Sequence, residues 1–151
     1  MEYTNSININ LPRKELFKVF ENPDNLSSWQ EGLKSVEHLG GKQGEEGSSS
    51  KYVYAGRKGD LLITGTVTKR IFPEEYCITY KSKGVYNTIT NRFTETEPGI
   101  THWEMVNFFR FGGLMALMAP FMKSAFRSNT VLNMERFKAF AEQNKAEQQK
   151  K

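Results

Sequence analysis

The chain has 151 residues, of which 38% are apolar and 13% aromatic, and it carries a formal net charge of +4 at pH 7. This composition suits one folded domain and excludes an intrinsically disordered chain. A single cysteine, Cys77, excludes an intrachain disulfide and a metal site built from several cysteines. The basic excess is mild and its residues are scattered, so we predict no nucleic-acid partner.

The two ends of the sequence give no signal for export or for a second domain. Residues 1–6 lack a basic region followed by an apolar run, so we predict no secretory signal and a cytoplasmic location. We expect one domain over residues 1–151 without internal repeats. Its last part, residues 143–151, is polar, and we expect it to fray.

The chain opens with a strand pattern followed by a helix pattern. Residues 3–11 alternate, with Ile7 and Ile9 on the apolar face, which predicts a strand with one buried side. Pro12 suits the first turn of a helix, and the apolar stripe that follows predicts a helix to about residue 21.

A second short helix is predicted after the break at residues 22–24, with Leu26, Trp29 and Leu33 pointing inward. Trp29 is interpreted as a structural anchor of this helix, with a place at the mouth of a cavity as the alternative. Residues 36–39 predict the second strand.

The middle of the chain consists of short alternating segments joined by tight turns. Five further strands are predicted, at residues 51–55, 61–72, 76–82, 86–96 and 100–111. Such a series predicts an antiparallel meander with one polar face, rich in threonine, and one face that another element must cover.

From residue 114 the apolar period changes from two to 3.6, which predicts a long amphipathic helix. Its apolar face is expected to contain Met115, Ala119, Met122, Phe126, Thr130, Met134, Phe137 and Ala141. A kink is expected near Pro120. The uninterrupted apolar part, residues 111–122, is twelve residues long against about 20 for a spanning helix, so we predict no transmembrane segment.

Several of these features resemble the START-like superfamily, also called SRPBCC, which includes polyketide cyclase/dehydrase-like and pollen-allergen-like proteins. The matching features are the strand that ends in a proline, Val19-Phe20, Asn22-Pro23 with Trp29, Gly47 before the third strand, Thr101 and Gly112-Gly113. The resemblance covers nearly the whole chain. It implies an α+β helix-grip fold, in which a curved seven-stranded antiparallel sheet wraps around a long C-terminal helix and leaves a cavity.

Members of this superfamily bind lipids, sterols, polyketides and other apolar molecules, and some are enzymes. They share no catalytic motif, so the resemblance assigns no catalytic residue here. The residues themselves give none either. His102 shares strand parity with Glu104 and points outward, and His38 lies near the end of a short strand; neither has a likely carboxylate and nucleophile beside it. Cys77 is out of phase with the apolar row. We predict no catalytic residue, no metal and no cofactor.

Two amides are predicted to face the interior from neighbouring strands. Asn91 shares parity with Ile89 and Phe93, and Asn107 shares parity with Trp103 and Met105. A buried amide needs hydrogen-bond partners. Two explanations stay open: the amides bond to each other or to trapped water, or they orient the polar group of a ligand.

The methionines of the last helix have two interpretations: they belong to an ordinary hydrophobic core, or they form the wall of a binding pocket. The resemblance favours the pocket. The predicted ligand-binding residues are Tyr52, Tyr54, Ile63, Tyr80, Ile89, Asn91, Phe93, Trp103, Met105, Asn107, Met115, Met118, Met122 and Phe126. The parity of Tyr52 and Tyr54 is left open, because Val53 competes for the inner face.

Three functions follow as hypotheses. The first is binding of an apolar or amphipathic small molecule, such as a lipid, sterol or polyketide, in the cavity. The second is a cyclase/dehydrase-type enzyme that holds a flexible substrate in a reactive shape while Tyr54, Tyr80, Asn91 or Asn107 polarises a carbonyl. The third is a protein-interaction module, which a large exposed apolar patch without a cavity would indicate. The ligand, turnover and the oligomeric state stay open.

Overall fold

The computed structural model describes the backbone of residues 1–149 and the side chains through residue 145. Along the chain, the elements are β1 (Glu2–Ile9), α1 (Arg13–Glu21), a 3-10 turn (Pro23–Asn25), α2 (Leu26–Trp29), β2 (Leu33–Gly40), β3 (Ser49–Tyr54), β4 (Leu61–Ile71), β5 (Glu75–Ser82), β6 (Val85–Glu97), β7 (Ile100–Phe111) and α3 (Leu114–Gln149). The strands form one antiparallel sheet in the order β1-β7-β6-β5-β4-β3-β2. The predicted seven-stranded helix-grip architecture is therefore confirmed.

The predicted second helix was too long at its C-terminal end. The helix closes where the Gln30 amide donates to the Leu26 carbonyl at 2.8 Å, and Gly32 then adopts a positive φ of 79°. This left-handed residue turns the chain out of the helix. Leu33, expected on the helix, is therefore the first residue of β2. Pro12 precedes α1 rather than entering it, because its ψ of 145° is extended.

The sheet and the helices enclose a core of aromatic rings. Trp103, fully buried on β7, lies 5.4 Å from Phe20 and 5.2 Å from Phe137 in edge-to-face geometry. Trp29 stacks on Phe20 at 5.8 Å and meets Phe137 edge-on at 5.1 Å. Because these rings come from α1, α2, α3 and the sheet, the cluster joins all four. Trp29 is therefore a structural anchor, as predicted.

Two hydrogen bonds fasten the outer strand β1 to its neighbours. The Thr101 hydroxyl, fully buried, donates to the Leu11 carbonyl at 2.7 Å and fixes the chain as it leaves β1. The Thr130 hydroxyl donates to the Phe126 carbonyl at 3.1 Å, so it accepts from the Tyr3 hydroxyl at 2.9 Å. The middle of α3 is thereby held over the edge of the sheet.

The two halves of α3 differ in how they pack. Met134, Phe137 and Ala141 are 2%, 0% and 1% exposed, and they belong to the core. The first turns instead carry large apolar side chains in solvent: Leu114, Leu117, Met118 and Phe121 are 82%, 72%, 53% and 81% exposed. The helix thus closes one half of the concave sheet tightly and covers the other half loosely.

Two other predictions, the kink near Pro120 and the frayed tail, also concern α3. The element is one helix that includes Pro120 and continues to Gln149. The kink itself stays a prediction. The predicted frayed tail lies partly outside the described residues, at 150–151, and its fraying stays a prediction. None of the described helices combines the length and apolar character needed to cross a bilayer.

Gly65 on β4 makes room for two aromatic rings. A Cβ placed there would lie 2.7 Å from Tyr52 Cε2 and 3.0 Å from Tyr80 Cε1. The two rings meet above it edge-on, with centroids 5.5 Å apart. Glycine at this position therefore lets two tyrosines from the flanking strands meet across β4.

We expect Gly65→Ala to lower the free energy of unfolding by about 1–3 kcal/mol, because the added methyl group displaces packed rings. Urea unfolding measures the change, with Thr64→Ala on the solvent face of the same strand as the matched control. A Gly65→Ala protein as stable as the control would show that the tyrosine rings shift freely.

Candidate functional site

A cavity of about 670 Å³ lies between the concave face of the sheet and the first half of α3. Its floor is formed by inward residues of the strands, among them Ile63, Ile78 and Ile89. Met115 and Phe126 of α3 close it from above, and residues of α1 and α2 close one end. The volume lies within the range of pockets that hold drug-sized molecules, roughly 300–1,000 Å³.

Most of the predicted ligand-binding residues line this cavity. They are Tyr52, Tyr54, Ile63, Tyr80, Ile89, Asn91, Met105, Asn107, Met115 and Phe126. The structure also answers the parity question for β3: Tyr52 and Tyr54 both lie on the cavity wall.

Four predicted residues lie elsewhere. Phe93 and Trp103 point inward, but at the end of the sheet where α1, α2 and the second half of α3 fill the space, so they belong to the core. Met118 is 53% exposed on the outer side of α3. Met122 is partly exposed and is not among the residues of the wall. Helical periodicity finds the inner face of α3, but it does not show where along the helix the sheet comes close.

Tyrosines provide most of the hydroxyl groups on the wall. Tyr54 donates to Gln30 Oε1 on the segment after α2. Burial raises the pKa of Tyr54, Tyr76 and Tyr80 above the ordinary value, and neighbouring tyrosines add to the rise. Burial also raises the pKa of Tyr52. These phenols therefore stay protonated and uncharged at neutral pH.

The two inward amides have different environments. Asn91 Oδ1 accepts from Trp103 Nε1 at 3.0 Å, and Asn91 Nδ2 donates to the Tyr76 carbonyl at 3.2 Å. Asn107 Oδ1 accepts a long bond of 3.5 Å from Asn87 Nδ2, while Asn107 Nδ2 is buried without a partner in the described protein. The two amides do not bond to each other, and Asn107 alone keeps a free donor.

Several polar residues of the wall were not among the predicted ligand-binding residues, and Asn87 and Asn133 are two of them. Asn87 shares strand parity with Asn91, which was a usable signal. Asn133 lies one turn after Asn129 on α3, and its buried Oδ1 has no partner within the described chain. Trp29, predicted as an anchor with the mouth of a cavity as the alternative, is also one of the residues that line the cavity, and its Nε1 is buried without a partner within the described chain.

The wall carries few charges. Within the described residues, the charged side chains that touch the cavity are Glu21, Glu31 and Lys83. Glu21 is paired with Arg70 through two contacts of 2.8 and 2.9 Å. Glu31 and Lys83 are exposed at the rim. The interior is thus apolar with neutral hydrogen-bonding groups.

The histidines and the cysteine lie away from the cavity. His38 contacts the Gly41 carbonyl at 2.7 Å, and His102 contacts Asn8 Oδ1 at 2.8 Å. Cys77 lies on the opposite face of β5, near Thr90, and burial raises the pKa of its thiol. No group of three or more potential metal ligands occurs among the described residues.

Comparison with known proteins identifies the architecture. The model of the family "Polyketide cyclase / dehydrase and lipid transport" matches residues 1–142. A search of curated proteins finds no match.

Similar solved structures are numerous. A conserved protein from Geobacillus kaustophilus superposes with a TM-score of 0.79 at 16% identity, covering 95% of this chain and 96% of that one. The Zhui aromatase/cyclase from Streptomyces sp. R1128 gives 0.77 at 11% identity over 94% and 93%. Ara h 8.0201 gives 0.73 at 13% identity over 93% and 97%. At these identities the likeness shows the fold.

Proposed function

Because the chain belongs to the polyketide cyclase/dehydrase and lipid transport family within the SRPBCC superfamily, we propose that it binds an apolar or amphipathic small molecule between the sheet and α3. Membership and fold support a ligand-binding or polyketide cyclase-type protein. Lipids, sterols and polyketides are the candidate ligand classes, and the predicted cytoplasmic location belongs to the same proposal.

The observation that carries this proposal is the unfilled space of about 670 Å³ beneath the first half of α3. Side chains fill the space beneath the second half of α3. The space beneath the first half is left unfilled, although the same sheet and helix enclose it. Burial of apolar ligand surface stabilises a complex by roughly 25 cal/mol per Å² before the costs of association. A few neutral polar groups on the wall are available to orient the guest.

Thermal unfolding in the presence of fatty acids, fatty alcohols, sterols and aromatic polyketides tests the proposal. A ligand at about 100 times its Kd stabilises the folded state by about 2.7 kcal/mol, which raises the Tm of a domain of this size by roughly 5–10 °C. We expect at least one class to do so. Mass spectrometry of the native protein provides a second readout, and the proposal fails if neither experiment yields a ligand.

A second candidate function is a cyclase-type enzyme. The Tyr80 hydroxyl and the free donor of Asn107 favour it, because such groups polarise a carbonyl while the cavity holds the chain in a reactive shape. Tyr54, also expected in this role, already donates its hydroxyl proton to Gln30 Oε1. Proximity rather than strong acid–base catalysis would then supply the acceleration. Product analysis with a linear polyketide separates the two functions: a binding protein releases it unchanged.

The third hypothesis, an interaction module, required an exposed apolar patch without a cavity. The structure has such a patch on α3, at Leu114, Leu117, Met118 and Phe121, but it also has the cavity. The condition is therefore not met, and the cavity directs the proposal to small molecules.

A further inference from the structure

We propose that the cavity selects an uncharged guest with a carbonyl or hydroxyl oxygen that accepts a hydrogen bond from Asn107 Nδ2. The inference rests on the proposed function and goes further by naming the chemical class of the ligand. Neutral ketones, quinones, sterols and alcohols belong to this class. Fatty-acid anions and other carboxylates do not.

The position of Asn107 defines the donor. The residue lies in the middle of β7, opposite Ile89 on β6 and Tyr3 on β1, and it is 2% exposed. Asn87 Nδ2 donates to the Phe108 carbonyl at 3.1 Å, and it approaches Asn107 Oδ1 at 3.5 Å. Since that neighbour presents a donor, the oxygen of Asn107 faces Asn87 and the nitrogen faces away from it. Asn107 Nδ2 is therefore a buried donor without a partner, on a residue that lines the cavity.

Other unpaired atoms belong to the same wall. Trp29 Nε1 supplies a further donor, and Asn133 Oδ1 supplies an acceptor. Buried polar groups in folded proteins are nearly all hydrogen-bonded, because leaving one unpaired is costly. Three unpaired groups on one cavity therefore indicate a guest with complementary polar atoms, and donors outnumber acceptors among them.

Charge argues against an anionic guest. Within the described part of the chain, Lys83 is the only basic residue on the wall, and it lies exposed in the turn between β5 and β6. Arg70, the partner of the lining residue Glu21, is not among the lining residues and is already neutralised by that carboxylate. A carboxylate drawn into the interior would lose its hydration without gaining a cation. A ketone oxygen loses far less and gains the Asn107 donor.

The test uses two matched ligand series and isothermal titration at pH 8. One series has eleven carbons in a flexible chain: undecane, methyl nonyl ketone and undecanoate. The other has three fused rings: anthracene, anthrone and anthracene carboxylate. In the series that binds, we expect the ketone to bind at least about tenfold more tightly than the carboxylate, a difference of about 1.4 kcal/mol. This comparison needs no variant and is decided on the wild-type protein.

A variant then assigns the effect to one atom. Asn107→Leu keeps the size of the side chain and removes the donor. We expect the ratio of ketone affinity to hydrocarbon affinity to fall about five- to tenfold, with hydrocarbon binding retained. The matched control is Phe108→Leu, the next residue on the same strand, which is 41% exposed on the outer face. The ratio stays at the wild-type value in this control.

The outcomes separate this inference from the proposed function. Equal or tighter binding of the carboxylate overturns the inference while the proposed function stands. An unchanged ratio in Asn107→Leu also overturns it, because the donor is then satisfied by water alone. If no molecule of either series binds, the neutral-guest inference is rejected; the broader ligand panel decides the proposed function separately.

Discussion

Ile63→Trp is expected to weaken ligand binding by at least about tenfold in affinity. Ile63 points from β4 into the cavity, opposite Tyr52 of β3. The indole ring would occupy space that the guest needs, and tenfold corresponds to about 1.4 kcal/mol of lost binding free energy. Isothermal titration with a ligand identified by thermal unfolding measures the loss.

Thr64→Trp provides the matched control, because Thr64 is the next residue of β4 and is exposed on the opposite face. The same ring is added there without entering the cavity, so affinity should stay within about twofold of the wild type. The free energy of unfolding distinguishes a filled cavity from a damaged fold. A stable Ile63→Trp protein that binds as tightly as the control would place the ligand outside this cavity.

Trp103→Ala is expected to cost about 3–5 kcal/mol of the free energy of unfolding, the usual range for removing a fully buried Trp. The ring contacts Phe20, Phe93 and Phe137 and donates to Asn91 Oδ1, so its loss leaves a void and an unpaired acceptor together. Urea unfolding measures the change. Trp103→Phe should lose less, since it retains an aromatic ring at the centre of the cluster.

Phe108→Ala on the same strand is the control, because Phe108 is partly exposed and faces away from the cluster. We expect its effect to be about 1 kcal/mol or less. Equal losses in the two alanine variants would show that the aromatic cluster does not hold the helices to the sheet.

The strands were predictable from the sequence because each buries one face, so the apolar side chains alternate. On β6, Ile89, Asn91 and Phe93 all point inward as the alternation required. The end of the second helix was not predictable in this way. Leu33 fits a helical spacing after Trp29, but the positive φ of Gly32 turns the chain out of the helix. Because glycine adopts positive and negative φ about equally readily, the residue type does not predict the sign of φ.

The sequence predicted which face of the sheet carries the candidate site, but not which part of that face lines the cavity. Alternation showed that Trp103, Met105 and Asn107 share one face, yet only Met105 and Asn107 reach the cavity. The dividing line depends on where α1, α2 and α3 contact the sheet, and these long-range contacts leave no periodic signal. The unpaired donor of Asn107 depends on the orientation of its amide group, which is set by Asn87 on the neighbouring strand. The sequence pattern does not predict this orientation.

The unequal packing of α3 has a consequence for discrimination between guests of different length. The floor of the cavity is a hydrogen-bonded sheet that does not widen without breaking its ladder. The first turns of α3 already expose Leu114, Leu117 and Phe121 to water. A movement of these turns away from the sheet would therefore expose little additional apolar surface of these side chains. We therefore expect the protein to tolerate a range of chain lengths and ring numbers, and to discriminate by the polarity of a single functional group.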